Sequence, residues 1–146
     1  MEHPNAQLLR RAWSAYDRGD AEGFAACLTD DWREYGPEGE EGGFVTLEDE
    51  RPTMAAHRVA FPDKHTEVHQ IVADDDMVGC FCTVSATHTG RYLDVEPTGR
   101  RLVAHEMMFN RVRDGRIAIT WAMTAGPGFY RQLTGRQAPE SVDNLG

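Results

Sequence analysis

Residues 61–102 read FPDKHTEVHQIVADDDMVGCFCTVSATHTGRYLDVEPTGRRL, and the change of period inside this stretch decides the fold. Phe61-Pro62-Asp63 stops a helix, because proline lacks the N–H that another turn requires. From His65 onward apolar and polar residues alternate, which is the period of a strand. Residues 65–72 and 77–89 are expected as two strands joined at Asp74-Asp75-Asp76, with Pro97-Thr98-Gly99 turning the chain towards the next. Residues 101–112 and 116–125 continue the alternation. Asp114-Gly115 between Val112 and Ile117 is the sequence of a tight hairpin turn.

Upstream, the spacing is helical. Leu9, Trp13 and Tyr16 recur on one side of residues 5–18, a helix that closes at Gly19. Asp20 caps a second, shorter helix with Phe24, Cys27 and Leu28 as its buried stripe. Thr46 and Asp49 form a capping box for a third helix over about 48–60, while Gly36 to Gly43 shows no period and is read as a loop. Three helices followed by strands give an α+β order, in which the three N-terminal helices cover one face of a strongly curved, mostly antiparallel sheet. Residues 1–134 are read as one domain. Residues 135–146, polar and containing Pro139, are expected to form a flexible tail.

The chain of 146 residues carries 15 Lys+Arg against 24 Asp+Glu, a net charge of −9. Such a surface repels phosphate backbones, so a nucleic-acid partner is not expected. No apolar run reaches the ~18 residues of a membrane span, and the start MEHPNAQLLRR lacks the apolar centre of a secretion signal. The expectation is a cytoplasmic protein with no membrane partner. Cys27, Cys80 and Cys82 form no ligand motif and are read as small buried hydrophobes. His65 and His69 share a strand face but stand about 13 Å apart, too far for one zinc, so no metal is implied.

The opening stretch, continued by VRDGRIAITW (112–121) and RQL (131–133), resembles the SnoaL-like polyketide cyclases of the NTF2-like superfamily. Phe61-Pro62-Asp63, Thr87-His88-Thr89-Gly90, Pro97-Thr98-Gly99-Arg100 and Asp114-Gly115 shortly before Trp121 carry the likeness, with Gly19-Asp20 and Asp30-Asp31 in support. It covers most of residues 5–135. The resemblance implies an NTF2-like cone whose cavity holds an apolar, polyketide-like small molecule, a homodimer, and chemistry without a cofactor. It also implies an acid/base aspartate four residues after the last-strand tryptophan. Counting from Trp121 gives Ala125, whose methyl group moves no proton, and losing such a group typically costs about 10²–10⁴ in rate. Tyr35 stands where relatives often place His, and a phenol with a pKa near ~10 serves better as a donor than as a base.

Candidate site residues follow from these two readings. His105 shares strand parity with Met107, Phe109 and Arg111, and if that face lines the cavity His105 is the candidate proton shuttle, with Tyr16 and Tyr35 as catalytic hydrogen-bond donors. Trp13, Trp32, His57, His88, Trp121, Met123 and Ala125 join Met107, Phe109 and Arg111 as candidate substrate-binding residues. The function expected is a cyclase of natural-product, antibiotic-type biosynthesis that closes a ring by cycloaddition or aldol chemistry without the usual aspartate. An isomerase or epoxide-opening hydrolase on the same fold is the first alternative; it requires a carboxylate in the cavity, and Asp31 and Glu34 beside Tyr35 are the nearest candidates. A non-catalytic small-molecule-binding partner is the second.

Overall fold

A computed structural model of the chain describes residues 1–136. Helix α1 (Pro4–Asp17) begins on a proline, which has no N–H to leave unbonded, and His3 Nδ1 accepts from the Asn5 N–H. α2 (Ala21–Ala26) is capped by Asp20, whose carboxylate accepts from the Gly23 N–H at 2.9 Å. α3 (Leu47–Ala60) opens on the expected Thr46/Asp49 capping box. Pro52 lies in its second turn rather than its first, so the Glu48 carbonyl loses its helical donor. The buried residues of α3, Glu50, Thr53, Met54, His57 and Ala60, recur every three or four positions and form one inward stripe.

Five strands form one sheet in the order β1-β5-β4-β3-β2. β1 (Leu28–Tyr35) runs parallel to β5 (Arg116–Ala125). β2 (His65–Ala73), β3 (Met77–Thr87), β4 (Arg101–Arg113) and β5 pair antiparallel in sequence. The β4–β5 hairpin turns on Asp114 and Gly115 with φ of 53° and 75°, the left-handed pair that the Asp-Gly sequence favours. The segment between β3 and β4 lies against the end of α3, where a Cβ on Gly90 would sit 2.0 Å from the Val59 carbonyl oxygen. Only glycine permits that approach. A short helix, α4 (Phe129–Thr134), follows β5; the sequence reading expected no helix after the third, because six residues are too few to show a period. Gly135 caps it, and Arg136 pairs with Asp94 at 2.9 Å. The rest of the expected flexible tail, 137–146, lies outside the described residues.

One face of β4, Leu102, Ala104, Glu106, Met108, Asn110 and Val112, is buried, and the other, from Arg101 through His105 to Arg113, is exposed. The expectation that His105, Met107, Phe109 and Arg111 face inward is therefore reversed. β4 carries large apolar side chains on both faces and hides Glu106 and Asn110, so hydrophobicity along the strand does not choose the parity. The inner face joins two cores. One packs α1 and α2 on Met108, Val112, Ile117 and Ala122; the other places Ala60, Phe61 and Tyr92 with Leu102, Ala104 and Phe129.

Candidate active site

Where the two cores meet, the inner sheet face and the helices leave a cavity. Its apolar wall is Trp13 and Tyr16 from α1, Phe24 from α2, Trp32 from β1, and Val84 and Met108 from the sheet. The first four meet in tilted and edge-to-face contacts as a chain of rings with centroids 5.2–5.8 Å apart. Glu34, Glu50, His57, Lys64, Thr66 and Glu106 complete the lining. All the ionisable groups of this set are buried, although burying a charge is costly unless a partner meets it.

The partners form a connected system. Tyr16 Oη donates to Glu50 Oε2 at 2.7 Å. Lys64 Nζ lies 3.2 Å from His57 Nδ1, and His57 Nε2 lies 3.3 Å from Tyr92 Oη. An ammonium has only donors, so Nδ1 accepts from it and Nε2 carries the imidazole proton towards Tyr92. Lys64 Nζ also sits 4.4 Å from the centroid of the Tyr16 ring, in cation–π contact. Asp17 accepts from the Thr66 N–H at 2.6 Å and its hydroxyl at 2.9 Å, and burial holds the carboxyl above the usual carboxylate range against the pull of Lys64. Trp32 Nε1 donates to Thr120 Oγ1, whereas the buried Trp13 Nε1 has no hydrogen-bond partner among the described residues.

The cavity volume is about 30 Å³, room for one or two waters. Trp13, Lys64 and Thr66 also border an open groove of about 250 Å³ beside α1. Half-buried Trp13 is the largest part of the wall that the cavity and the groove share.

Of the residues singled out from sequence, Tyr16, Trp13, Trp32 and His57 meet in this cavity. His105 lies on the opposite sheet face, where its Nδ1 is 3.2 Å from Thr83 Oγ1 and its ring stacks on Phe81. Met107, Phe109, Arg111, Trp121, Met123 and Ala125 share that outer face: Phe109 pairs with Trp121, Met107 with Met123, and His105 with Ala125. A carboxylate at position 125 would accordingly point away from the cavity. Tyr35 is buried between Phe44 and Trp121, outside the lining. His88 is buried beside Phe61 with Nδ1 accepting from the Thr98 N–H, a contact that holds the segment between β3 and β4. Of the two carboxylates named beside Tyr35, Glu34 lines the cavity and Asp31 is exposed against Arg113, while sequence reading missed Glu50, Lys64 and Glu106. The signals were present: Glu50 and His57 lie seven apart on α3, and Lys64 is the single lysine of the chain.

The Cys82 thiol holds its proton more tightly than usual through its contact with Cys80 and burial, so Cys82 is a poor nucleophile. Among the described residues no cluster of His, Cys, Asp and Glu is arranged to hold a metal ion. No helix among them is long and apolar enough to cross a membrane. The cavity brings carboxyl, amine, imidazole and phenol groups together inside aromatic walls.

No curated protein sequence matches this chain. Among solved structures, AclR from Streptomyces galilaeus, a proposed hydroxylase, is 28% identical with a TM-score of 0.77, covering 92% of this chain and 84% of that one. IdmH from Streptomyces antibioticus, a proposed polyketide cyclase, is 25% identical with a TM-score of 0.70, covering 84% and 92%. TsrD from Streptomyces laurentii, at 23% identity and a TM-score of 0.73 over 93% and 99%, shares the fold. These neighbours bear out the α+β, NTF2-like reading of the architecture. The sequence profile of the SnoaL-like polyketide cyclases matches residues 6–133, nearly the whole described chain, and the chain belongs to that family.

Proposed function

We infer that the protein is a cofactor-independent cyclase of polyketide-type natural-product biosynthesis, closing a ring in a bound apolar precursor by aldol-type chemistry. The observation that carries this reading is one cavity in which aromatic walls surround the buried carboxylates Glu34, Glu50 and Glu106. Such a carboxylate can remove a proton from carbon beside a carbonyl, and the folded chain then brings the resulting carbanion onto a second carbonyl. Trp13 Nε1 is a donor with no acceptor among the described residues, suited to a carbonyl or enolate oxygen. Confinement supplies the rest by fixing the reacting ends together. The ionisable lining favours this route over a ring closure driven by shape alone.

Metabolite profiling of the producing cell tests the reading. Deleting the gene should accumulate an open-chain precursor, and restoring it as Glu34→Gln, Glu50→Gln or Glu106→Gln should lower ring formation by about 10²–10⁴ for the variant that removes the working base. Full ring formation by all three variants would refute the assignment. The buried carboxylates also favour a second reading, an isomerase or epoxide-opening hydrolase. It would appear in the same profile as a product with a shifted double bond or an added water. A carrier that only binds would leave every precursor converted in the deletion strain.

The outer sheet face supports pairing of two copies of the chain. Val103, Met107, Phe109 and Met123 lie together there, 43–57% exposed, a larger apolar patch than scattered surface residues make. A homodimer through this face predicts that Phe109→Glu sediments as a monomer.

A further inference from the structure

We propose that Lys64 is an amine nucleophile that forms an imine with a ketone carbonyl of the substrate. This rests on the ring-closing reading of the cavity and gives it a covalent step. The chain carries fourteen arginines and one lysine, and that lysine is buried in the cavity wall. A cation kept only for charge or solubility would be at the surface, where the arginines are concentrated. Arginine cannot lose its proton in a protein; lysine can, and an uncharged amine adds to carbonyls.

The surroundings supply what the step requires. His57 Nδ1, 3.2 Å from Nζ, is placed to take the ammonium proton. The free amine pair forms a C–N bond to the ketone carbon while the C=O π pair moves to oxygen and is protonated. His57 gives that oxygen its proton, takes one N–H proton from the adduct to free the nitrogen pair, and passes it to the hydroxyl, which leaves as water while the nitrogen pair completes the C=N bond of an iminium ion. Its positive charge lies where Lys64 carried one before, over the Tyr16 ring and among the buried carboxylates. A carboxylate removes the α-proton to give an enamine, whose carbon attacks a second carbonyl of the same chain. The new C–C bond closes the ring and regenerates the iminium, while the π pair of the attacked carbonyl moves to its oxygen, which takes the α-proton back from the carboxyl group as a hydroxyl. Addition of water and cleavage of the C–N bond release the cyclic hydroxyketone and return Lys64. The water lost is regained, so the product is an isomer of the substrate. The substrate class is a chain with at least two ketones, as an aldol ring closure requires.

Because the chain has one lysine, trapping has a single side-chain target, with the Met1 amine as internal standard. The purified protein is incubated with acetone and sodium cyanoborohydride, and peptides are mapped by mass. The groove of about 250 Å³ that Lys64 borders admits so small a ketone. Lys64 should be alkylated about tenfold faster than the Met1 amine, and His57→Gln should slow the Lys64 label and not the Met1 label. In the deletion strain, Lys64→Arg, which keeps the charge and the cation–π contact, should support no ring formation. Labelling of Met1 without Lys64, or ring formation by Lys64→Arg, would overturn the proposal. The broader ring-closing reading fails by a different sign, a metabolite profile unchanged on gene deletion.

Discussion

Two adjacent methionines on β4 test which face of the sheet is the interior. Met108 is 2% exposed and packs among Leu9, Phe24 and Trp32 in the larger core, while Met107, its neighbour in sequence, is 43% exposed on the outer face. Truncation to alanine removes the same atoms from each. At Met108 the loss combines transfer free energy with an unfilled cavity, about 2–5 kcal/mol. For a domain of this length each kcal/mol lowers the melting temperature by roughly 3 °C, so Met108→Ala should melt about 6–15 °C below the parent. Met107→Ala should stay within about 0.5 kcal/mol, or 1–2 °C, as surface substitutions do. The assay is thermal unfolding followed by circular dichroism, repeated over a wide range of protein concentration. If two copies pair through the outer face, any loss at Met107 fades on dilution, whereas the loss at Met108 does not. Equal losses in the dilute protein, or a larger one at Met107, would refute the face assignment and every conclusion drawn about His105 and Glu106.

His88 and Gly90 give two further outcomes on stability. Burial disfavours the charged form of His88 and holds its pKa below the ordinary value of about 6.5, so the unfolded chain takes up this proton first as pH falls. Stability present above about pH 6.5 is then lost as pH drops through the folded-state value. His88→Gln should flatten the urea midpoint between about pH 7 and 5, and an unchanged slope would remove His88 as the cause. Gly90→Ala places a methyl group against the Val59 carbonyl, which cannot retreat without unwinding the end of α3, so the loss should reach the top of the ~1–3 kcal/mol range for overpacking. Gly36→Ala, with open space around its Cβ, is the matched control in the same urea titration and should change little.

The sequence by itself determined three helices, four antiparallel strands and their order, but neither β1 nor the six-residue α4. A period of 3.6 before Phe61 and of two after it, the Thr46/Asp49 box and the Asp114-Gly115 turn are local signals, written within a few residues of where they act. The motifs of residues 61–121 likewise identified the family, because their spacing is a property of the chain alone. Only the tertiary structure decided which side of the sheet is inside. Alternation states that His105 and Glu106 lie on opposite faces, but with Met107 and Phe109 on one and Met108 and Val112 on the other, the strand has no preferred interior until α1 and α2 cover one side. The catalytic candidates were hidden by the same cause. Glu50 and Glu106 look like surface charges one at a time, nothing local separates Glu34 from exposed Asp31, and Lys64 looks like a turn residue after Phe61-Pro62-Asp63. They become one site because a helix, a turn and two strands far apart in sequence converge on a single cavity, and proximity across the fold is not encoded in any local period.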